Sequence, residues 1–230
     1  MSPVSLLLSD KAKARFDAFS DGVFAIVITL LVLELHVPTG TQHLASVLGE
    51  EWPRYLGYFV SFAFIGGIWI AHSTVSHFIR AVDATLMRLN LVLLLFVSLL
   101  PFTTGILATH LFASFLPLDH LTEPHPGFGP ERLAVVLFGA NLTLAALMMF
   151  LVIRHIDRTD ELAANDVVEK ELKGFARGRR SAVILQALAT VVGVFLPTVA
   201  VVVYLGLSVF FFVDPLWVER VRGKVRPRTH

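Results

Sequence analysis

Four polar side chains, Asp21, Glu34, His72 and Asn90, stand within or at the ends of long apolar runs. Ionisable groups in such runs are costly, so each is a candidate for ion handling, proton relay or bonding between helices. The run Phe16–Leu35 reads as a helix, which can be unrolled about its axis. With Ile26 at zero and about 100° per residue, Phe19 falls near +20°, Gly22 near −40°, Thr29 near −60°, Leu30 near +40° and Leu33 near −20°. These residues make one stripe. Ser20 and Asp21 fall near +120° and −140°, off the stripe, and suit contacts with neighbouring helices of the same chain. The stripe itself has two possible occupants. Lipid is one. If several copies met at a symmetry axis, Ile26, Leu30 and Leu33 would stack as hydrophobic rings able to gate ions by dewetting, with Thr29 adding a ring of hydroxyls. Glu34, at the far end of this helix, is either a solvated terminus or part of an acidic ring that concentrates cations.

In the next apolar block Trp69, His72 and Ser76 recur at i, i+3 and i+7, on one helical face. A buried neutral imidazole bonded to an amide or carboxylate is the expected state of His72. The remaining histidines (His36, His43, His77, His110, His120, His125, His155, His230) show no zinc-ligand spacing. Arg88 and Asn90 open the third block, where an arginine can snorkel to the interface and an amide can bridge helices. Gly66-Gly67 suits close helix packing. The sequence has no phosphate-binding loop, nucleophile elbow or pair of catalytic carboxylates, so no enzyme is implied. With no cysteine there is no disulfide or thiolate metal site.

The elements that must position these residues follow from composition. The chain is 55% hydrophobic and 16% charged with mean hydropathy +0.72, against about 25% charged in ordinary soluble domains. A bilayer crossing needs roughly 20 apolar residues. Blocks near that length run 16–35, 55–78, 86–111 and 133–153. A longer block, Ala182–Val213, contains Pro197 and reads as a hairpin of two helices, 182–196 and 198–213. The expected fold class is all-α: a polytopic protein with six transmembrane helices in one domain spanning residues 1–230. No internal duplication is visible, so any symmetry must come from other subunits. Both termini are expected inside, because that assignment places every one of the 19 basic residues except Arg54 and Arg132 in inner segments. An odd number of crossings would not produce this alternation. The near-neutral charge of +1 thus hides an uneven distribution. The basic tail Arg220–Arg228 is read as a contact for anionic lipid rather than nucleic acid. Met1–Leu8 is too short for a signal-peptide core, so the first helix is expected to act as an uncleaved insertion signal. The outer loops His36–Pro53 and Ala113–Pro130 do not read as folded domains. The inner loop Arg154–Arg180 mixes both charge signs, as a solvated helical extension does.

The run Arg15-Phe-Asp-Ala-Phe19-Ser20-Asp21-Gly-Val-Phe-Ala-Ile26-Val-Ile-Thr29-Leu30-Leu-Val-Leu33-Glu-Leu closely resembles the signature of the transmembrane protein 175 family of potassium channels. Trp69-Ile-Ala-His72, Leu89-Asn90-Leu and Leu100-Pro101-Phe102 extend the likeness over about the first half of the chain. Prokaryotic members resemble single-repeat tetramers of six-helix subunits, whereas animal members carry two repeats and dimerise around a lysosomal pore. The one repeat here therefore implies a homotetramer. The family lacks the Thr-Val-Gly-Tyr-Gly filter, which is absent here too. By resemblance, the first helix lines the pore, with Ile26, Leu30 and Leu33 as a hydrophobic constriction and Thr29 contributing to preference for potassium over sodium. Arg15, Phe19, Ser20 and Asp21, with Trp69, His72 and Asn90 as partners, would form the network anchoring that helix, and Glu34 would stand at the outer mouth.

The implied function is a modestly potassium-selective channel in a prokaryotic plasma membrane. Its partners would be the lipid bilayer, copies of itself and monovalent cations. No cofactor or metal beyond permeating potassium is implied. Two other readings remain open at this level: a proton-coupled secondary transporter relaying through Asp21 and His72, and a membrane scaffold that transports nothing. Transporters commonly show inverted repeats and paired broken helices, and Pro101 and Pro197 do not occupy matching positions of two halves.

Overall fold

A computed structural model describes residues 3–35, 48, 49, 51–111, 129–159, 162 and 166–213. Most of both outer loops and the basic tail Arg220–Arg228 lie outside these residues, as do His36, His43, His120, His125 and His230. The described chain is helical: α1 (Pro3–Leu30) runs into a 3₁₀ turn (Leu31–Glu34), followed by α2 (Trp52–Phe78), α3 (Ala84–Ser98), α4 (Leu100–Leu111), α5 (Pro130–Arg158), α6 (Asp166–Phe195) and α7 (Pro197–Val213). Among the described residues, five stretches are long and apolar enough to cross a bilayer, and Pro197–Phe210 adds a shorter apolar helix. The fold is that of a polytopic all-α membrane protein. Only closed hydrogen-bonding elements survive in hydrocarbon, because an unpaired backbone group there costs several kcal/mol.

Two prolines shape this bundle in different ways. The third apolar block, expected as one helix over 86–111, is divided at Leu99, two residues before Pro101. The ring removes one N–H donor but the interruption is local: Leu99 keeps a right-handed helical conformation, and its N–H still reaches Leu95 O at 3.2 Å. α3 and α4 thus form one crossing, interrupted at Leu99. At Pro197 the chain instead reverses. The Tyr204 hydroxyl donates to Thr190 Oγ1 at 2.9 Å, although 14 residues of continuous helix would separate them by about 21 Å. Gly193 permits the turn-back, since a Cβ there would stand 3.1 Å from Ala200 Cβ and 2.6 Å from Val135 Cγ1.

Helix ends are secured locally. Asp83 caps α3 by accepting the Leu86 N–H at 2.7 Å. Prolines occupy the first turns of α2 and α5, where the missing N–H costs nothing. Glu131 at the start of α5 and His155 and Arg158 at its end suit the helix dipole. Hydroxyls inside the bundle turn onto their own backbones: Thr104 donates to Leu100 O at 2.7 Å and Thr143 to Gly139 O at 2.7 Å. Ser61 and Thr104 also meet each other at 2.6 Å, joining α2 to α4.

α5 is the central post. Its buried residues Val135, Phe138, Leu142, Ala145, Met149, Val152 and Ile156 pack against α3, α4, α6 and α7. α1 is peripheral by contrast, with only 28% of its apolar window buried against 67% for the span in α2. The helical stretch 166–180 continues α6 beyond its apolar part at the basic end.

The α5–α6–α7 junction has no room to spare, because a Cβ at Gly139 would overlap the Tyr204 hydroxyl and crowd Thr190. Gly139→Val should therefore lower stability by about 1–3 kcal/mol, the usual cost of overpacking, visible as a reduced melting temperature of the purified protein.

Candidate functional site

α1 presents two chemically distinct faces. Phe16, Ser20, Phe24, Val27 and Leu31 are buried, and at roughly 100° per residue they share one face. On the other side Ile26 is 60% exposed and Leu33 69%, with Phe19 and Leu30 also exposed. Thr29 lies on the exposed side, its hydroxyl donating to Ile26 O at 2.8 Å. The donor of that hydroxyl is thereby used within the helix, leaving the oxygen lone pairs outward.

Three rungs hold the opposite side of α1. In the middle one Asn90 of α3 donates from Nδ2 to Ser20 Oγ at 2.8 Å, while its Oδ1 meets His72 Nε2 of α2 at 2.9 Å. The Ser20 hydroxyl in turn donates to Phe16 O at 2.9 Å. With Asn90 Oδ1 as acceptor, His72 carries its proton on Nε2. The imidazole lies between Phe16, stacked at 5.8 Å, and Phe24 at 5.6 Å. The other rungs join Trp69 Nε1–H to Asp21 Oδ1 at 3.0 Å and Ser76 Oγ–H to Asp17 Oδ1 at 2.5 Å. Partner numbers fall along α2 as they rise along α1, so the two helices are antiparallel. The i, i+3, i+7 face of Trp69, His72 and Ser76 is used in full.

Arg15 and Phe19 are not drawn into these rungs: both are exposed, and Arg15 forms no ion pair with a described residue. Asp17, which the sequence reading passed over, is a full member. Its other oxygen pairs with Lys13 at 3.0 Å. That i, i+4 spacing was the available signal, but it matches any solvated surface pair equally well. Glu34 is half-buried, and its carboxylate lies against Gly105 of α4, where any Cβ would overlap it. Arg88 is exposed beside the buried Asn90. Gly66 admits the Phe212 ring of α7, as expected of a small residue at a packing surface.

A separate pair ties the basic ends together. Asp83, already capping α3, accepts from His155 Nε2 of α5 at 2.9 Å, and the Arg80 N–H bonds Leu162 O at 2.9 Å. Partial burial opposes ionisation of Asp83, but hydrogen bonds from the Leu86 N–H and from His155 outweigh it and hold the carboxyl below its ordinary range. Among the described residues, no group of three or more histidine or acidic side chains is placed to hold a metal ion.

The described residues thus form a helical membrane bundle whose first helix carries an apolar, hydroxyl-bearing stripe opposite its polar anchors. Residues 15–101 match the family described as endosomal/lysosomal potassium channel TMEM175. The chain is 32% identical over 170 residues to a potassium channel of Chamaesiphon minutus, covering 72% of this chain and 76% of that one. It belongs to the TMEM175 family, a family of ion channels rather than enzymes. A potassium channel of Streptomyces collinus is 48% identical over 99 residues, a match spanning 42% of this chain and about half, 48%, of that relative. The crystal structure of a lysosomal potassium-selective channel TMEM175 homolog from Chamaesiphon minutus superposes with TM-score 0.69 at 28% identity, covering 87% of this chain and 96% of that one.

Two outcomes follow from the bonding. Asn90→Leu strands the buried His72 N–H, so it should cost about 1–3 kcal/mol, more than the ~0.6 kcal/mol of an average hydrogen bond between membrane helices; denaturant titration in detergent measures it. The lowered Asp83 pKa stabilises the fold above the ordinary carboxylate range and is lost as pH falls through the folded value. Asp83→Asn should therefore lower the melting temperature at about pH 7, and the difference should shrink as pH falls below the ordinary carboxylate range.

Proposed function

We propose that this chain is one subunit of a potassium-preferring channel, a homotetramer whose pore is lined by α1. The observation that carries the reading is the division of α1 into a face locked by three polar rungs and an apolar face that no described residue of the subunit covers. Asp21 supports it. This carboxylate is exposed on the isolated subunit, about 7 Å inside the helix from Phe16. Facing lipid it would cost ~2.5–3.5 kcal/mol, and intramembrane carboxylates almost always face protein or a water-filled cavity. A second copy packed beside α1 removes that cost.

Around a four-fold axis, Ile26, Leu30 and Leu33 form stacked apolar rings that resist wetting, and Thr29 places four hydroxyl oxygens between them. A cation crosses mostly hydrated, so selectivity rests on small differences in dehydration at Thr29 and is modest. Arg15 and Phe19 flank the anchoring rungs of Ser20, Asp21, Trp69, His72 and Asn90. Glu34 stands at the outer mouth with its carboxylate turned onto its own third span. The asymmetry in basic residues puts both termini in the cytoplasm, and the bacterial relatives suit a prokaryotic plasma membrane.

The test is the bi-ionic reversal potential of purified protein in planar bilayers, with potassium on one side and sodium on the other. Reversal toward the potassium potential is expected. No passive current from an intact oligomer would overturn the channel in favour of a scaffold, and saturable flux tied to a proton gradient would overturn it in favour of a coupled carrier. Ile26→Asn should raise single-channel conductance severalfold by lowering the dewetting barrier, and unchanged currents would remove Ile26 from the gate. Thr29→Ala should shift the reversal potential toward zero; an unaltered value would exclude Thr29 from selectivity.

A further inference from the structure

Between the basic ends of α5 and α6 lies a cleft of about 280 Å³ lined by Phe150, Arg154, Asp157 and Arg158 from α5 and by Arg177 and Arg180 from α6. Four guanidinium groups thus converge with one carboxylate. None of the four arginines is ion-paired with a described residue. Like charges gathered this closely favour an anion among them. Phe150, Arg154 and Arg158 repeat at i, i+4 and i+8 and share one face of α5, and Arg177 and Arg180 are i, i+3 neighbours on α6. Arg154 Cζ stands 5.9 Å from the centroid of the Phe150 ring, so the cleft joins an aromatic floor to a cationic mouth. Asp157 adds a second requirement, because its Oδ1 is buried with no hydrogen-bond partner among the described residues. It lacks a donor.

A ligand that carries a phosphate beside a hydroxyl meets both demands. Phosphate oxygens accept paired N–H bonds from arginine forks, and the hydroxyl donates to Asp157. Position decides the source. The apolar spans of α5 and α6 end at Arg158 and Arg177, so the cleft opens at headgroup depth with Phe150 about one turn below Arg154 and two below Arg158, where an acyl chain begins. We propose that this cleft binds the headgroup of an anionic, hydroxyl-bearing phospholipid of the phosphatidylglycerol type. The inference rests on the chain spanning a bilayer and not on conduction, so a binding measurement tests it whatever the currents show.

Native mass spectrometry of the purified protein, offered equimolar phosphatidylglycerol and phosphatidylcholine, should show at least tenfold preferential retention of phosphatidylglycerol. The preference should collapse to within about twofold of unity in Arg154→Gln/Arg177→Gln and, independently, in Arg158→Gln/Arg180→Gln, each checked for an unchanged elution volume. It should persist in Arg88→Gln, outside the cleft. Equal retention of the two lipids, or a preference that survives both paired substitutions, would overturn the proposal. Displacement of the lipid by an equimolar amount of glycerol phosphate would overturn the lipid assignment and leave a site for soluble phosphates.

Discussion

The bond from Asn90 to Ser20, continued to His72, sets the rotation of α1, and the rest of the candidate site depends on that rotation. All three side chains are buried, and if α1 turned about its axis the Asn90 Nδ2–H would lose its Ser20 acceptor while staying fixed by its bond to His72. A quarter turn would break the chain and bury apolar residues where polar partners wait. In hydrocarbon that penalty is not relieved by water. One amide reaching in two directions therefore defines which residues of α1 point away from the bundle.

Apolar packing supports this chain of bonds without replacing it. Phe16 and Phe24 enclose the imidazole, keeping it dry and close to Asn90. The flanking rungs, Asp17 with Ser76 and Asp21 with Trp69, resist sliding of α1 along α2, whereas the middle rung resists rotation. An apolar stripe alone would specify neither, because Leu and Ile gain little by exchanging lipid for protein. Polar groups supply the specificity, and the apolar stripe is left available for a different contact.

The same economy holds at the basic end. Asp83 serves as helix cap and as acceptor for His155, which links the start of the third span to the end of the fourth. Close by, Arg154, Arg158, Arg177 and Arg180 converge around Asp157 with no ion pair to a described residue. Polar groups are satisfied in one place and left poised in the other. That contrast distinguishes an internal strut from a surface built to meet something outside the protein.

The sequence by itself determined the helical, membrane-spanning character and the two faces of α1. Apolar block length and 3.6-residue periodicity are local properties, and lipid tolerates few other backbone arrangements. It also read Pro197 as the turn of a helical hairpin, but it took 86–111 as one unbroken helix and did not show the division at Leu99. What closes the hairpin, the Tyr204 hydroxyl on Thr190 and Ala200 against Gly193, depends on the fold. Only the tertiary structure decided that Asn90 bridges Ser20 and His72, that Asp17 joins Ser76, that Arg15 and Phe19 stand apart from the rungs, and that Glu34 settles against Gly105. Those pairings join residues distant in the chain, and they depend on the register and rotation of whole helices, which no local pattern encodes.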